Sequence, residues 1–386
     1  MKNKLNRKIR SAAPSITDAE IDLVSSAIRD GWYENMSLYI DMFVEEFSAY
    51  TKQKYCLPTA HCTDAIHLAM LALGIGIGDE VIVPDLTWVA SAAPIVYSGA
   101  TPVFADVDPI SLCITADTIK EKITPKTKAV VVVDLLGNMP EWDDILDLCH
   151  NQKLSVIEDA AEGIGATYNG SLAGSFGEIS LFSFNATKLI MSGQGGMLCT
   201  NDESLYNKAK LYSNHGIDQN LTGKYYWASV VGYNYNWTNI QAALALAQLR
   251  RIDELISYKK WLFNQYKKNL KDQKGVTLNQ SRENVDPTYW ITTAIIDPSY
   301  GLEKEVICDL FADYSIDMRP LFYPISSMPA FSNYVDVTKM RELNPNSYNI
   351  SRYGICLPNG NNLSLHEIEI ICSSLREILN NSINGQ

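Results

Sequence analysis

The sequence has no CxxC pair among its eight cysteines and no Cys/His group at zinc-ligand spacing, so nothing in it points to a metal site. It has no run of about 18 apolar residues that could cross a bilayer, and no apolar stretch of signal-peptide length follows the basic residues of Met1–Arg10. Basic charge is not in surplus either. Thirty-two Lys and Arg against 44 Asp and Glu give a net charge of −12. That charge is spread along the chain rather than gathered in a tail, which argues against a surface built to neutralise a phosphate backbone. Internal repeats, low-complexity tracts and flexible linkers are absent. What remains is the expectation of a soluble, cytoplasmic globular protein with neither nucleic acid nor membrane as partner, its thiols serving as small buried hydrophobes in a reducing compartment. At 386 residues it is long enough for a large core and more than one domain.

From about residue 60 to 200, short β-rich apolar runs alternate with helical patterns. The runs are Glu80–Pro84, Pro102–Ala105, Ala129–Asp134, Leu154–Glu158 and Ile179–Phe184, and the helices between them include Asp64–Leu73 and Glu141–His150. Runs that are apolar on both faces and separated by helices predict a mostly parallel sheet covered on both sides, an α/β domain. Helical spacing then continues from Thr238 to about Leu270. After it come an extended piece at Tyr289–Asp297, a helix near Lys304–Tyr314, a short extended piece at Ile316–Leu321 and a final helix after Ser364. That order predicts a large α/β domain over 1–255 and a smaller α+β domain over 256–386, closely packed.

Two segments carry candidate chemistry. Val156–Glu162 places Asp159 just past the carboxyl end of a buried strand, where ligands of open α/β sheets bind. Ser183–Gly196 places Lys188 in a polar segment after another strand, ahead of a glycine-rich turn that allows close backbone approach. A pyridoxal cofactor needs an amine for its aldehyde and a carboxylate to keep its ring nitrogen protonated, because the protonated ring is the electron sink. Lys188 and Asp159 fit those roles; taken singly, a surface lysine and a helix-capping aspartate fit as well. The cofactor phosphate needs an anion site, and Cys62-Thr63-Asp64 opens an amphipathic helix whose first N–H groups and Thr63 hydroxyl could supply one. A plain helix cap accounts for the same residues, and Asp64 suits a phosphate only if it points away. Trp88, between a strand and a helix, offers a ring to stack on a pyridine or simply to pack.

Together these motifs resemble the DegT/DnrJ/EryC1/StrS sugar aminotransferases, from about Gly31 to the last helix. The resemblance rests on Ala69–Pro84 (AMLALGIGIGDEVIVP), Gly99–Asp108 (GATPVFADVD), Ile123–Lys128 (ITPKTK), Ile157–Gly165 (IEDAAEGIG) and Thr238–Arg251 (TNIQAALALAQLRR). It implies the fold of the type I pyridoxal-phosphate (PLP) aminotransferases, with pyridoxamine phosphate as the form that carries nitrogen. It also implies that Lys188 binds the cofactor covalently and moves protons, that Asp159 pairs with the ring nitrogen, and that Glu162 lies near the ring hydroxyl or the substrate. Trp88 would stack on the ring, and Ser183, Thr63 and the adjoining backbone would hold the phosphate. Asn234 matches an asparagine that reaches the cofactor phosphate of a neighbouring subunit, which implies a homodimer. The lysine, where sugar dehydratases of this fold carry histidine, implies transamination from a donor, L-glutamate, to a keto-sugar, with ping-pong kinetics.

The sequence also departs from the family pattern. Gln194 stands in a turn that usually carries glutamate, Asn236 where arginine follows Asn-Tyr, and Asp134 where a histidine ends the central strand. Trp32–Ser37 (WYENMS) adds bulk and negative charge where relatives admit a sugar nucleotide. The expected substrate is a nucleotide-linked 4-keto-6-deoxy sugar for surface polysaccharide, with a non-nucleotide sugar such as an 8-oxo Kdo-type acid as the alternative. Arg319 and Tyr323 match a segment that faces substrate in relatives and are candidates to bind a carboxylate or phosphate; a structural salt bridge is the other account of Arg319, and His215 is expected to be structural. A protein that keeps the fold and only binds the cofactor is a further alternative.

Overall fold

Five of the apolar runs become neighbouring strands because none of them has a polar face to show to water. The computed structural model describes residues 7–218 and 226–384; of the basic N-terminal stretch, residues 1–6 lie outside them. The principal sheet contains β1 (Tyr55–Thr59), β2 (Glu80–Pro84), β3 (Thr101–Ala105), β4 (Thr127–Val133), β5 (Ser155–Asp159), β8 (Ile179–Ser183) and β9 (Gly196–Thr200), in the order β1-β9-β8-β5-β4-β2-β3. All pairings are parallel except the two made by β9, which runs against β1 and β8. Residues 129–133 of β4 are all buried, as strands covered by helices on both faces must be. Between β5 and β8 the chain makes a small ribbon, β6 (Thr167–Tyr168) and β7 (Ser171–Leu172), to which β11 (Val285–Asp286) adds a third strand.

A second, four-stranded sheet orders β10 (Val276–Leu278), β12 (Thr293–Ile296), β14 (Gly354–Cys356) and β13 (Arg319–Pro320), all antiparallel. Its apolar core includes Leu262, Tyr266, Ile307, Phe311, Ile355 and Ile371, and also Ile9 from the far end of the chain. Ile9 bridges to Ile316 in parallel, its N–H donating to the Ser315 carbonyl and its own carbonyl accepting from Asp317 N–H. The N-terminal segment therefore packs with the C-terminal sheet. Helix Ile252–Leu270 passes from one core to the other, with Ile252 and Leu255 in the first and Leu262, Tyr266 and Leu270 in the second.

The single helical stretch expected over Thr238–Leu270 is two helices, Asn239–Leu249 and Ile252–Leu270, broken at Arg250-Arg251. The break turns both guanidinium groups into ties. Arg250 pairs with Glu46 at 2.6 Å, and Arg251 with buried Glu20 at 2.6 Å and with Glu254 at 2.8 Å. Burial opposes ionisation of Glu20, but hydrogen bonds from Thr17, Arg251 and Gln248 outweigh it and lower the carboxyl to about 2. Among the described residues no helix is long and apolar enough to cross a membrane.

One residue of the central sheet is out of balance. Asp134, which follows β4, is fully buried, and among the described residues neither carboxylate oxygen has a hydrogen-bond partner. Adjacent Glu158, equally buried, accepts from the N–H groups of Gly174, Phe176 and Gly177 and from Ser180 Oγ. Burial, and then the charges of Glu158 and Asp159, push the Asp134 carboxyl well above the usual carboxylate range. A carboxyl raised in the folded state stabilises only below its unfolded value and loses that contribution as pH rises toward its folded value, by up to about 1.4 kcal/mol per pH unit. Asp134→Asn keeps the shape and removes the titration. Its Tm is expected to exceed that of the wild type at pH 8 by more than at pH 5, and equal differences in thermal melts at the two pH values would show that Asp134 is not held protonated.

Candidate active site

The carboxyl ends of the parallel strands open into a cavity of about 370 Å³. The β5 strand ends on Asp159, and the turn that follows carries Glu162, so both acids reach the cavity from one strand end. The β8 strand ends on Ser183, and the loop from it to β9 brings Lys188 to the cavity lining. Here the turn geometry is tight: Gly195 has φ +159, and a Cβ there would lie 2.8 Å from Ser192 Oγ and 2.9 Å from Trp237 Nε1.

Lys188 Nζ lies 3.3 Å from Glu162 Oε1 and 3.9 Å from the centroid of the Trp290 ring, whose own Nε1 donates to the Thr187 carbonyl at 2.8 Å. The ring both places the ammonium and attracts it through its negative face. Glu162 Oε2 accepts the Leu136 N–H at 2.8 Å, which fixes the other side of the carboxylate. Burial raises the Glu162 carboxyl, with the Lys188 charge the first of the effects that lower it. Asp159 is 3% exposed; Ser91 Oγ donates to one of its oxygens at 2.7 Å and Ala161 N–H to the other at 3.2 Å. Burial raises this carboxyl too, against those two hydrogen bonds and Lys188. A buried acid with no cation in contact is a site for a cationic ring nitrogen.

Helix Cys62–Ala72 begins at the cavity. Its cap residue His61 is extended, and no side chain caps its first-turn N–H groups, which leaves them as an anion site. Cys62, Thr63 and Ser183 line the cavity beside it. Asp64 does not: it turns to His61, 3.0 Å away, and so does not set its charge against an anion at the helix end. Trp88 lines the cavity too, 57% exposed, its ring tilted 51° to that of Phe322 with centroids 6.1 Å apart. These groups fit PLP in ring nitrogen, phosphate and aldehyde alike.

The structure brings Asp159, Glu162, Lys188, Cys62, Thr63, Ser183, Trp88 and Arg319 into one cavity. It does not bring Tyr323 there. That hydroxyl donates to Glu305 at 2.7 Å, and Lys304 Nζ sits 3.5 Å from its ring centroid. Asn234 also lies outside, exposed, accepting from Asn236 Nδ2 at 3.0 Å. Gln194 lines the cavity, its side-chain oxygen accepting from Asn185 at 3.2 Å and its carbonyl from Trp237 and Gln241. Trp32–Ser37 is not part of the lining; Trp32, Tyr33 and Met36 are exposed there. Sequence reasoning missed Ser91, Trp290, Lys259, Asn359, Asn361 and the segment Ser11–Pro14, all of which line the cavity. Trp290 alone gave a signal, as an indole at the start of an extended apolar run; the others are brought in by tertiary folding from distant parts of the chain.

Comparison with known proteins gives the family. The profile of the DegT/DnrJ/EryC1/StrS aminotransferase family matches residues 14–376. The chain is 38% identical over 364 residues to the GDP-perosamine synthase of Escherichia coli O157:H7, covering 94% of this chain and 96% of that one. It is 31% identical over 388 residues to the spore coat polysaccharide biosynthesis protein SpsC of Bacillus subtilis, covering 98% and 99%. Its fold superposes with a TM-score of 0.89 on the PLP form of a Streptococcus pneumoniae protein described as a sugar aminotransferase, at 25% identity, over 97% and 99% of the two chains. Lysine, paired acids and uncapped helix end thus stand in a PLP-dependent enzyme, and the chain belongs to the DegT/DnrJ/EryC1/StrS aminotransferase family.

Proposed function

We propose that this enzyme moves an amino group from L-glutamate to the keto carbon of a nucleotide-linked 4-keto-6-deoxy sugar, in the making of a surface polysaccharide; a relative named GDP-perosamine synthase supports a nucleotide-linked sugar. The observation that carries the reaction type is the placement of Lys188 Nζ, 3.3 Å from Glu162 and 3.9 Å from the Trp290 ring. The relatedness to proteins named for GDP-perosamine and for spore coat polysaccharide supports the substrate class.

When bound, PLP supplies an electron sink that stabilises negative charge at the reacting carbon. Every other part falls to the chain. Asp159, held by Ser91 and Ala161, keeps a proton on the ring nitrogen by keeping a negative charge beside it. Lys188 carries protons between carbon centres, with Glu162 as its counter-ion and guide. The first turn of helix Cys62–Ala72, with Thr63 and Ser183, would take the phosphate, and Trp88 would flank the ring. We infer further that the enzyme is a cytoplasmic homodimer with a large domain (1–255) and a small one (256–386), in which exposed Asn234 serves the phosphate site of the neighbouring subunit.

With L-glutamate and a GDP-linked 4-keto-6-deoxy sugar, initial rates are expected to give the parallel double-reciprocal lines of a ping-pong scheme. Lys188→Ala should lower kcat by at least about 10³-fold, within the range for a positioned acid–base group. Turnover of a keto-sugar acid without nucleotide, and none of the GDP-linked sugar, would replace the substrate proposed here. The shared site has its own test. Asn234→Asp puts a negative charge against a phosphate and should be nearly inactive, as should Lys188→Ala. Mixed and reassociated, the two should recover about a quarter of wild-type activity, since half the dimers of a two-fold assembly are then mixed and each holds one intact site. No recovery would place Asn234 within its own subunit's site or outside any.

A further inference from the structure

Among the described residues two lysines are buried, and they are housed differently. Lys304 is 1% exposed and lies outside the active-site cavity. Its ammonium donates to the carbonyls of Leu321 and Phe322 and to Ser351 Oγ, with the Tyr323 ring at 3.5 Å. Three acceptors and a ring face satisfy it. Lys259 is 5% exposed and lines the cavity that holds Lys188. It has one acceptor, the Asn359 carbonyl at 2.5 Å, and no acidic partner among the described residues. Burial lowers it to about 7, with nothing to oppose the fall. An ammonium kept in such a place loses hydration that one carbonyl does not replace.

Its position is fixed. Asn359 N–H donates to the Ser11 carbonyl at 2.8 Å, and Asn359 Oδ1 accepts the Thr292 N–H at 2.9 Å. Thr292 lies two residues after Trp290, the ring that holds Lys188. One rigid unit thus carries both the wall at Lys259 and the face against Lys188. In the same lining Arg319 is exposed and makes no ion pair among the described residues. In a chain of net charge −12, a buried lysine and an arginine in one cavity, neither ion-paired among the described residues, are a local arrangement rather than a general positive field.

We propose that Lys259, with Arg319 in the same cavity, forms an anion subsite that takes a carboxylate or phosphate oxygen group of the substrate reacting at Lys188. The claim rests on the aminotransferase reading only for the identity of that group, which is a carboxylate of the amino donor or the diphosphate of the sugar nucleotide. The anion supplies the charge partner that Lys259 lacks, and a neutral analogue of the same shape gains nothing there.

The test is titration calorimetry on the cofactor-loaded enzyme with two probes that cannot react, glutarate for the donor and inorganic pyrophosphate for the nucleotide. Lys259→Gln keeps a donor for the Asn359 carbonyl and removes the charge; Lys259→Arg keeps the charge. Loss of one charge-assisted contact should weaken at least one probe by about tenfold or more in Lys259→Gln, with Lys259→Arg close to wild type. The probe that responds names the group. Should the glutamine variant not fold, as judged by its melting curve, Lys259→Met, which keeps the aliphatic stem, takes its place. Equal affinity of wild type and the uncharged variant for both probes, or no binding of either probe to the wild type, overturns the subsite. The aminotransferase reading is judged separately on the same samples, by the visible absorbance of bound cofactor and its dependence on Lys188. A normal band with affinities indifferent to Lys259 removes the subsite alone, and a Lys259-dependent affinity without the band removes the reaction alone.

Discussion

Burying two carboxylates at the end of one strand is the constraint on which the rest of this site depends. Asp159 and Glu162 are both almost wholly removed from water, and burial raises both carboxyls. An isolated charge in such a place is several kcal/mol uphill. The chain offsets this with Lys188 beside Glu162, the Ser91 hydroxyl and Ala161 N–H on Asp159, and the Leu136 N–H on Glu162. Each donor comes from a different connection at the carboxyl edge of the sheet, so the order of the strands is what makes the site electrically tolerable. The part left uncompensated, an acid facing a cavity, is the part that suits a cationic ring.

The second sheet completes the cavity rather than merely abutting it. Trp290 and the 356–361 segment come from its strands and loops, and Ser11–Pro14 arrives with the N-terminal segment that pairs beside Ile316. Two buried carboxylates hold this half to the principal sheet. Asp85, past β2, accepts from Ser326 and Asn344, and Asp106, past β3, from the N–H groups of Asn346 and Ser347 and from the Ser347 hydroxyl. Strand ends therefore do two kinds of work: β5 and β8 present chemistry, while β2 and β3 fasten the wall that faces it.

Much of this was legible in the sequence because parallel strands buried on both faces are nearly pure apolar runs. Glu80–Pro84 is a strand at both its expected ends, and the others shift by one or two residues. The break at Arg250-Arg251 was not legible, since helical periodicity runs through it and only the distant Glu46 and Glu20 make it favourable. Asp159, Glu162 and Lys188 could be picked out because a strand end and a glycine turn flank them. Tyr323 was misplaced for the complementary reason: its neighbour Arg319 reaches the cavity, but over four residues the chain turns and gives the tyrosine to Lys304 and Glu305. Lys259 lies mid-helix in a Lys-Lys pair that looks solvated, and only the fold shows that one of the two is buried.

The central claim is that one lysine, Lys188, is placed to bind the cofactor and carry protons at the carboxyl edge of the sheet. Lysine content cannot decide this, because Lys259 lines the same cavity and burial lowers it to about 7, a value suited to attack on an aldehyde. The most direct measurement is to load the enzyme with PLP, reduce it with borohydride, digest it and locate the added mass by peptide mapping. The account predicts a single modified peptide with the mass on Lys188. Modification of Lys259 instead, or of surface lysines without preference, would contradict it.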